Sequence, residues 1–86
     1  MFKIEFSGTA AKELEKISKI DAKLCSRLVC AIKSLETDPY KGKSLKGRLL
    51  GSYSLRAGNY RVIYAIHKDR LIIYIIDLGQ RKEIYR

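Results

Sequence analysis

Gly58 and Asn59 are the only two residues between two runs of alternating side chains, 53–57 and 60–67. A two-residue break containing glycine is the tightest connection two antiparallel strands can have, since glycine accepts the positive φ that matches strand twist. Such a loop fixes register as well as fold: Ala57 faces Tyr60, and Arg56 faces Arg61. Directly opposed residues share a sheet face. Ser54, Arg56, Arg61 and Ile63 then line one side, and Leu55, Val62, Tyr64 and Ile66 line the other, apolar enough to pack under helices. A three-residue loop would put the two arginines on opposite faces. A third alternating run, 71–77, follows the turn Lys68-Asp69-Arg70, so the three runs read as an antiparallel meander.

The N-terminal half reads differently. Phe2, Ile4 and Phe6 alternate with Lys3 and Glu5, the pattern of a half-buried strand. Ser7 or Thr9 then caps a helix in which Ala10, Ala11, Leu14 and Ile17 repeat at helical spacing. Asp21 caps a second helix with Leu24, Leu28, Val29, Ile32 and Leu35 as its apolar set and Lys23, Arg27 and Lys33 on other faces. Pro39 is expected to end it, because the residue before a proline is pushed out of the α region. The turn between the helices is short enough for an antiparallel helical hairpin. Residues 41–52 contain Gly42, Gly47 and Gly51 and read as a loop. Strand, helical hairpin and three-stranded meander, with the helices on one face of the sheet, give an α+β sandwich. At 86 residues, one domain spanning 1–86 is expected.

Hydrophobic residues make up 47% of the chain, enough for a core, yet no apolar run approaches the ~20 residues of a bilayer span. The N-terminus alternates where a signal peptide would show an apolar block. A soluble, cytoplasmic protein without membrane contact is expected. Cys25 and Cys30 lie five apart on a helix and point in different directions, which suits neither a disulfide nor a metal pair. No cofactor and no metal requirement are expected.

Charge carries the functional signal. The net charge is +9, and residues 39–68 hold seven basic residues (Lys41, Lys43, Lys46, Arg48, Arg56, Arg61, Lys68) and no acid. Self-repulsion of this kind costs stability unless an anion relieves it. The sharpest instance is Arg56 opposite Arg61, since like charges opposed across strands are destabilising. A phosphate between them gives a reason for the pair, because each guanidinium is a rigid fork that matches phosphate oxygens. The competing reading is that one arginine turns to solvent or pairs with a carboxylate such as Asp77. Lys43, Lys46 and Arg48, with Lys82 near the C-terminus, suit sequence-independent attraction to RNA phosphates.

Gly79 permits a sharp turn that would bring Arg81 and Tyr85 over the same sheet face, with Tyr85 as an aromatic ring on which an unpaired base can stack. Tyr60, Tyr64 and Tyr74 read as core or rim. Tyr40 and Tyr53 flank the basic loop, within reach of RNA. His67, at a strand end beside a turn, lacks an orienting partner and reads as structural or solvent-facing.

The run Tyr53-Ser-Leu-Arg56-Ala-Gly-Asn-Tyr60-Arg61-Val-Ile-Tyr64, with Leu45-Lys46-Gly47 before it and Gly79-Gln80-Arg81 and Tyr85 after it, resembles the RelE/ParE toxins of prokaryotic toxin–antitoxin modules. The resemblance spans the chain and lies closer to the mRNA-cutting RelE branch, because the C-terminal arginine and tyrosine are present. It implies a ribosome-dependent endoribonuclease that needs no metal, with Arg56, Arg61, Arg81 and Tyr85 as its catalytic residues and a cognate antitoxin, the ribosome and mRNA as partners. The family's first meander strand can carry two basic residues at alternate positions. Here the earlier is Ser54, which leaves the general base unassigned. A ParE-like inhibitor of DNA gyrase and a catalytically silent RNA-binding relative are the alternatives.

Overall fold

The computed structural model describes residues 1–47 and 51–80. Chain order is β1 (Lys3–Phe6), α1 (Gly8–Ile20), α2 (Ala22–Ser34), a 3₁₀ turn (Pro39–Lys41), β2 (Lys43–Ser44), β3 (Ser52–Ala57), β4 (Tyr60–His67) and β5 (Ile72–Gln80). The five strands form one sheet in the order β1-β5-β4-β3-β2, and β1 runs parallel to β5 while the other pairs are antiparallel. The expected α+β layering is present, with both helices packed on one face. The sheet is wider than the expected meander, since β1 and β2 extend it at both edges.

Local chemistry explains the helix boundaries. Ser7 caps α1: its hydroxyl accepts from the Ala10 N–H at 3.0 Å and donates to the Ile76 carbonyl at 2.6 Å, which also ties the helix start to β5. Asp21 caps α2 by accepting from the Leu24 N–H. Pro39 does not end α2, which stops at Ser34. Leu35 and Glu36 instead bond three residues back, to Ile32 and Lys33, tightening the last turn before the proline is reached. Pro39 opens the following 3₁₀ turn, where its fixed φ fits the first position.

The core lies between helices and sheet. Ala10, Ile17, Leu28, Ile32 and Leu35 meet Leu55, Val62, Tyr64, Ile73, Ile75 and Leu78 there. Val29, expected among the apolar set of α2, faces solvent at 43% exposure, because position 29 falls off the Leu28–Ile32–Leu35 stripe. Cys25 is half-buried and Cys30 exposed, and both are free thiols. No helix among the described residues is long and apolar enough to cross a membrane.

The region read as a loop, 41–52, holds real structure. β2 pairs with β3, Lys43 opposite Ser54 and Ser44 opposite Tyr53. A two-residue strand is too short to show alternation in the sequence. Gly79 also departs from expectation: it pairs with Arg61 inside β5 instead of turning the chain.

Candidate functional site

The β3–β4 turn takes the two-residue form, with Ala57 opposite Tyr60 and Arg56 opposite Arg61. Gly58 has φ 61° and Asn59 does not share the positive φ, the φ pattern of a turn that places glycine first. The arginines therefore stand side by side on the face away from the helices. Arg56 is exposed and Arg61 half-buried. Across β5 the row ends at Gly79, which puts no side chain beside Arg61.

A second row runs next to the first on the same face: Lys43 on β2, Ser54 on β3, Ile63 on β4 and Asp77 on β5. Its middle is buried, Ser54 at 3% exposure and Ile63 at 2%. Its ends are open, with Lys43 exposed and Asp77 half-buried. Asp77 owes its place to a β-bulge. Tyr64 pairs with Ile75 and Ile63 pairs with Asp77, so Ile76 is the extra residue. Without it Asp77 would oppose Val62 and point at the core. The Asp77 Oδ1 accepts from the Leu78 N–H at 2.8 Å, and the carboxylate makes no ion pair among the described residues.

Lys43 is held in place by Tyr64. The Tyr64 hydroxyl donates to the Pro39 carbonyl at 2.8 Å and accepts from the Gly42 N–H at 3.0 Å, anchoring the chain as it enters β2. Burial pushes the Tyr64 phenol above its ordinary pKa. Tyr53 stacks on Tyr64 with ring centroids 5.5 Å apart, and Tyr40 meets Tyr53 edge-on at 5.9 Å. The Lys68 ammonium lies 5.5 Å from the Tyr40 ring centroid, and the neighbouring Tyr40 hydroxyl raises its pKa. The tyrosines that flank the basic segment thus pack mainly on each other, and Tyr40 keeps 48% of its surface exposed.

Of the residues singled out in the sequence, the sheet brings together Arg56, Arg61 and Lys43. Lys46 is exposed beyond the end of β2 and belongs to neither row. Arg48, Arg81, Lys82 and Tyr85 lie outside the described residues. His67 is exposed at the end of β4. Asp77 entered the sequence reading only as an ion partner for an arginine, because a bulge leaves no mark on a period-two pattern. Among the described residues no three His, Cys, Asp or Glu side chains gather where they could hold a metal ion. A depression lies elsewhere, between the tip of the helical hairpin at Ile20, Asp21 and Leu24 and the turn at Gly58 and Asn59. Its lining mixes Glu13 and Asp21 with Lys16 and Arg27, so it lacks the single sign of charge that an anion site needs.

Comparison with known proteins bears on the family and the fold. The family model described as the ParE toxin of the type II toxin–antitoxin system, parDE, matches residues 4–85. Toxin RelE of Mycobacterium tuberculosis is 33% identical over 86 residues, covering 99% of this chain and 87% of that protein. Toxin RelG of the same organism is 30% identical over 86 residues, covering 99% and 97%. Among solved structures, the toxin–antitoxin complex RelBE2 from M. tuberculosis contains a chain that superposes with a TM-score of 0.82 at 27% identity, covering 93% of this chain and 98% of that one. A YoeB/ParE toxin from Agrobacterium tumefaciens has the same fold, with a TM-score of 0.84 at 19% identity over 93% and 99% of the two chains.

Proposed function

This chain belongs to the ParE toxin family of type II toxin–antitoxin systems, and on that premise we propose that it is an endoribonuclease that cuts mRNA on the ribosome. The observation that carries the reading is Arg56 directly opposite Arg61 on the sheet face away from the helices, within a stretch that contains no acid. Two guanidinium forks side by side match the non-bridging oxygens of one phosphodiester.

RNA supplies its own nucleophile. The 2′-hydroxyl attacks the adjacent phosphorus, so the protein has to hold the backbone in line, neutralise charge growing on the phosphoryl oxygens and manage two protons. Arg56 and Arg61 serve the charge. Arg81 acts at the leaving 5′-oxygen and Tyr85 stacks the target base, both roles implied by the family resemblance. Lys43, Lys46, Arg48 and Lys82 add sequence-independent attraction to RNA. Arginine barely deprotonates, so these groups alone make a slow nuclease on free RNA, and the ribosome provides the remaining positioning. The reaction takes place in the cytoplasm, where the ribosomes are.

Solved relatives of this fold include toxin–antitoxin complexes, among them RelBE2, which supports a cognate antitoxin as partner. An acidic antitoxin segment laid over the cationic face relieves the same repulsion that RNA does.

Gyrase inhibition is the second reading, favoured by the ParE description of the matching family model. The protein added to a translating extract separates the two. Transcript cleavage at codons, lost in Arg81→Ala and Tyr85→Ala, is expected. Intact transcripts together with blocked gyrase supercoiling would overturn the nuclease reading.

A further inference from the structure

The two arginines leave the reaction without a proton acceptor, and the sheet places one beside them. We infer that Asp77 is the general base, taking the proton of the attacking 2′-hydroxyl. This rests on the nuclease reading above.

The register carries the inference. Arg61 opposes Gly79, and Asp77 is two residues back on the same strand and the same face. Diagonal neighbours of this kind lie ~7–8 Å apart between backbone positions, a gap that a phosphodiester and its ribose fill. Gly79 itself adds no side chain between them, and Ile63, opposite Asp77, forms the other corner of the square. β1 ends at Phe6, which pairs with Ile75, so among the described residues no strand flanks Asp77 on its outer side. Its Oδ1 is oriented by the Leu78 N–H, while Oδ2 has no hydrogen-bond partner among the described residues.

Electrostatics points the same way. A carboxylate beside a phosphate-binding pair repels the ligand, and Asp77 does not repay this by pairing with a cation among the described residues. Proton abstraction uses what binding alone would discard. Among the described residues the charged and titratable groups on its face are Arg61 and His67 on β4, Arg56 on β3 and Lys43 on β2, with Tyr74 on β5 and Lys3 and Glu5 on β1 further along.

The 2′-oxygen forms a bond to phosphorus as its proton passes to the Asp77 carboxylate. The bond from phosphorus to the 5′-oxygen breaks, and that oxygen takes a proton from water. The products are a 2′,3′-cyclic phosphate and a 5′-hydroxyl, and Asp77 returns its proton to solvent.

The test uses the whole chain with ribosomes programmed with a defined transcript, comparing wild type, Asp77→Asn and Asp77→Glu by single-turnover cleavage across pH. Asp77→Asn is expected to lower the maximal rate by about 10²–10⁴-fold, with a half-saturating concentration equal to or below that of wild type. It should also lose the acid limb of the pH profile, and Asp77→Glu should restore part of both. Thermal melting of each variant separates lost catalysis from lost fold. Wild-type cleavage with Asp77→Asn within threefold of it overturns the inference. So does a rate recovered simply by adding more Asp77→Asn protein, which marks a residue that only supports binding. If the wild type cuts no transcript, the nuclease reading itself falls and this role falls with it.

Discussion

The Tyr64 hydroxyl occupies the space that a side chain at Gly42 would need: a Cβ built there lies 2.5 Å from that oxygen and 2.8 Å from the Ser54 carbonyl. Gly42 is required for room rather than for backbone freedom, since its φ of −77° suits any residue. Gly42→Ala is expected to cost about 1–3 kcal/mol through overpacking. Urea unfolding at neutral pH measures it, and Tyr64→Phe, which removes the obstructing oxygen, should reduce the penalty when the two changes are combined.

Tyr64→Phe alone leaves the Pro39 carbonyl and the Gly42 N–H without their buried partner. A loss of about 1–3 kcal/mol is expected. The same residue shapes stability at alkaline pH. Burial raises its pKa in the folded chain, so the unfolded chain releases the proton first. Its contribution is complete below the ordinary tyrosine pKa near 10 and declines as pH rises through the higher folded value. Unfolding free energy measured from pH 8 to 11 should fall less steeply in Tyr64→Phe than in wild type.

Arg56 sets stability against binding. Arg56→Gln removes one of two opposed like charges, and a gain of about 0.2–1 kcal/mol is expected at low ionic strength. RNA affinity should fall, and the slope of log affinity against log salt should shrink by about one contact. Chemical denaturation and a salt titration of binding to a single-stranded oligonucleotide check the two halves separately.

Leu71 enters β5 with φ 53°, the left-handed region that leucine rarely adopts, and its side chain is half exposed. Its carbonyl still accepts from the Lys3 N–H at 2.8 Å, so the conformation helps join β1 to the sheet. Leu71→Gly is expected to stabilise the fold by about 0.5–1 kcal/mol, because the left-handed cost of a Cβ exceeds the entropy that glycine loses here. A rise in thermal midpoint is the measurement.

Much of the structure was legible because its determinants are local. Ser7 and Asp21 cap helices whose first turns are only residues away, and the apolar spacing of Leu28, Ile32 and Leu35 marks the buried stripe of α2. Val29 misled for the opposite reason, since hydrophobicity by itself does not say which face a helix buries. The end of α2 was misplaced because the proline that forbids a helix at Asp38 says nothing about a last turn that tightens four residues earlier.

The sequence by itself pointed to the arginine pair through a two-residue turn, which the structure contains. Given a two-residue turn only one register remains, so Arg56 meets Arg61, and β3 and β4 followed from it. Only the tertiary structure decided what surrounds that pair. β2 exists because the Tyr64 hydroxyl, more than twenty residues away in sequence, holds Pro39 and Gly42 against β3. β1 joins the sheet by pairing parallel with β5, a contact made across almost the whole chain. Asp77 reaches the arginine face because one residue, Ile76, is left unpaired opposite Ile63 and Tyr64. Such pairings cost loop-closure entropy and are stabilised by contacts remote in sequence, so alternation within a single segment does not encode them.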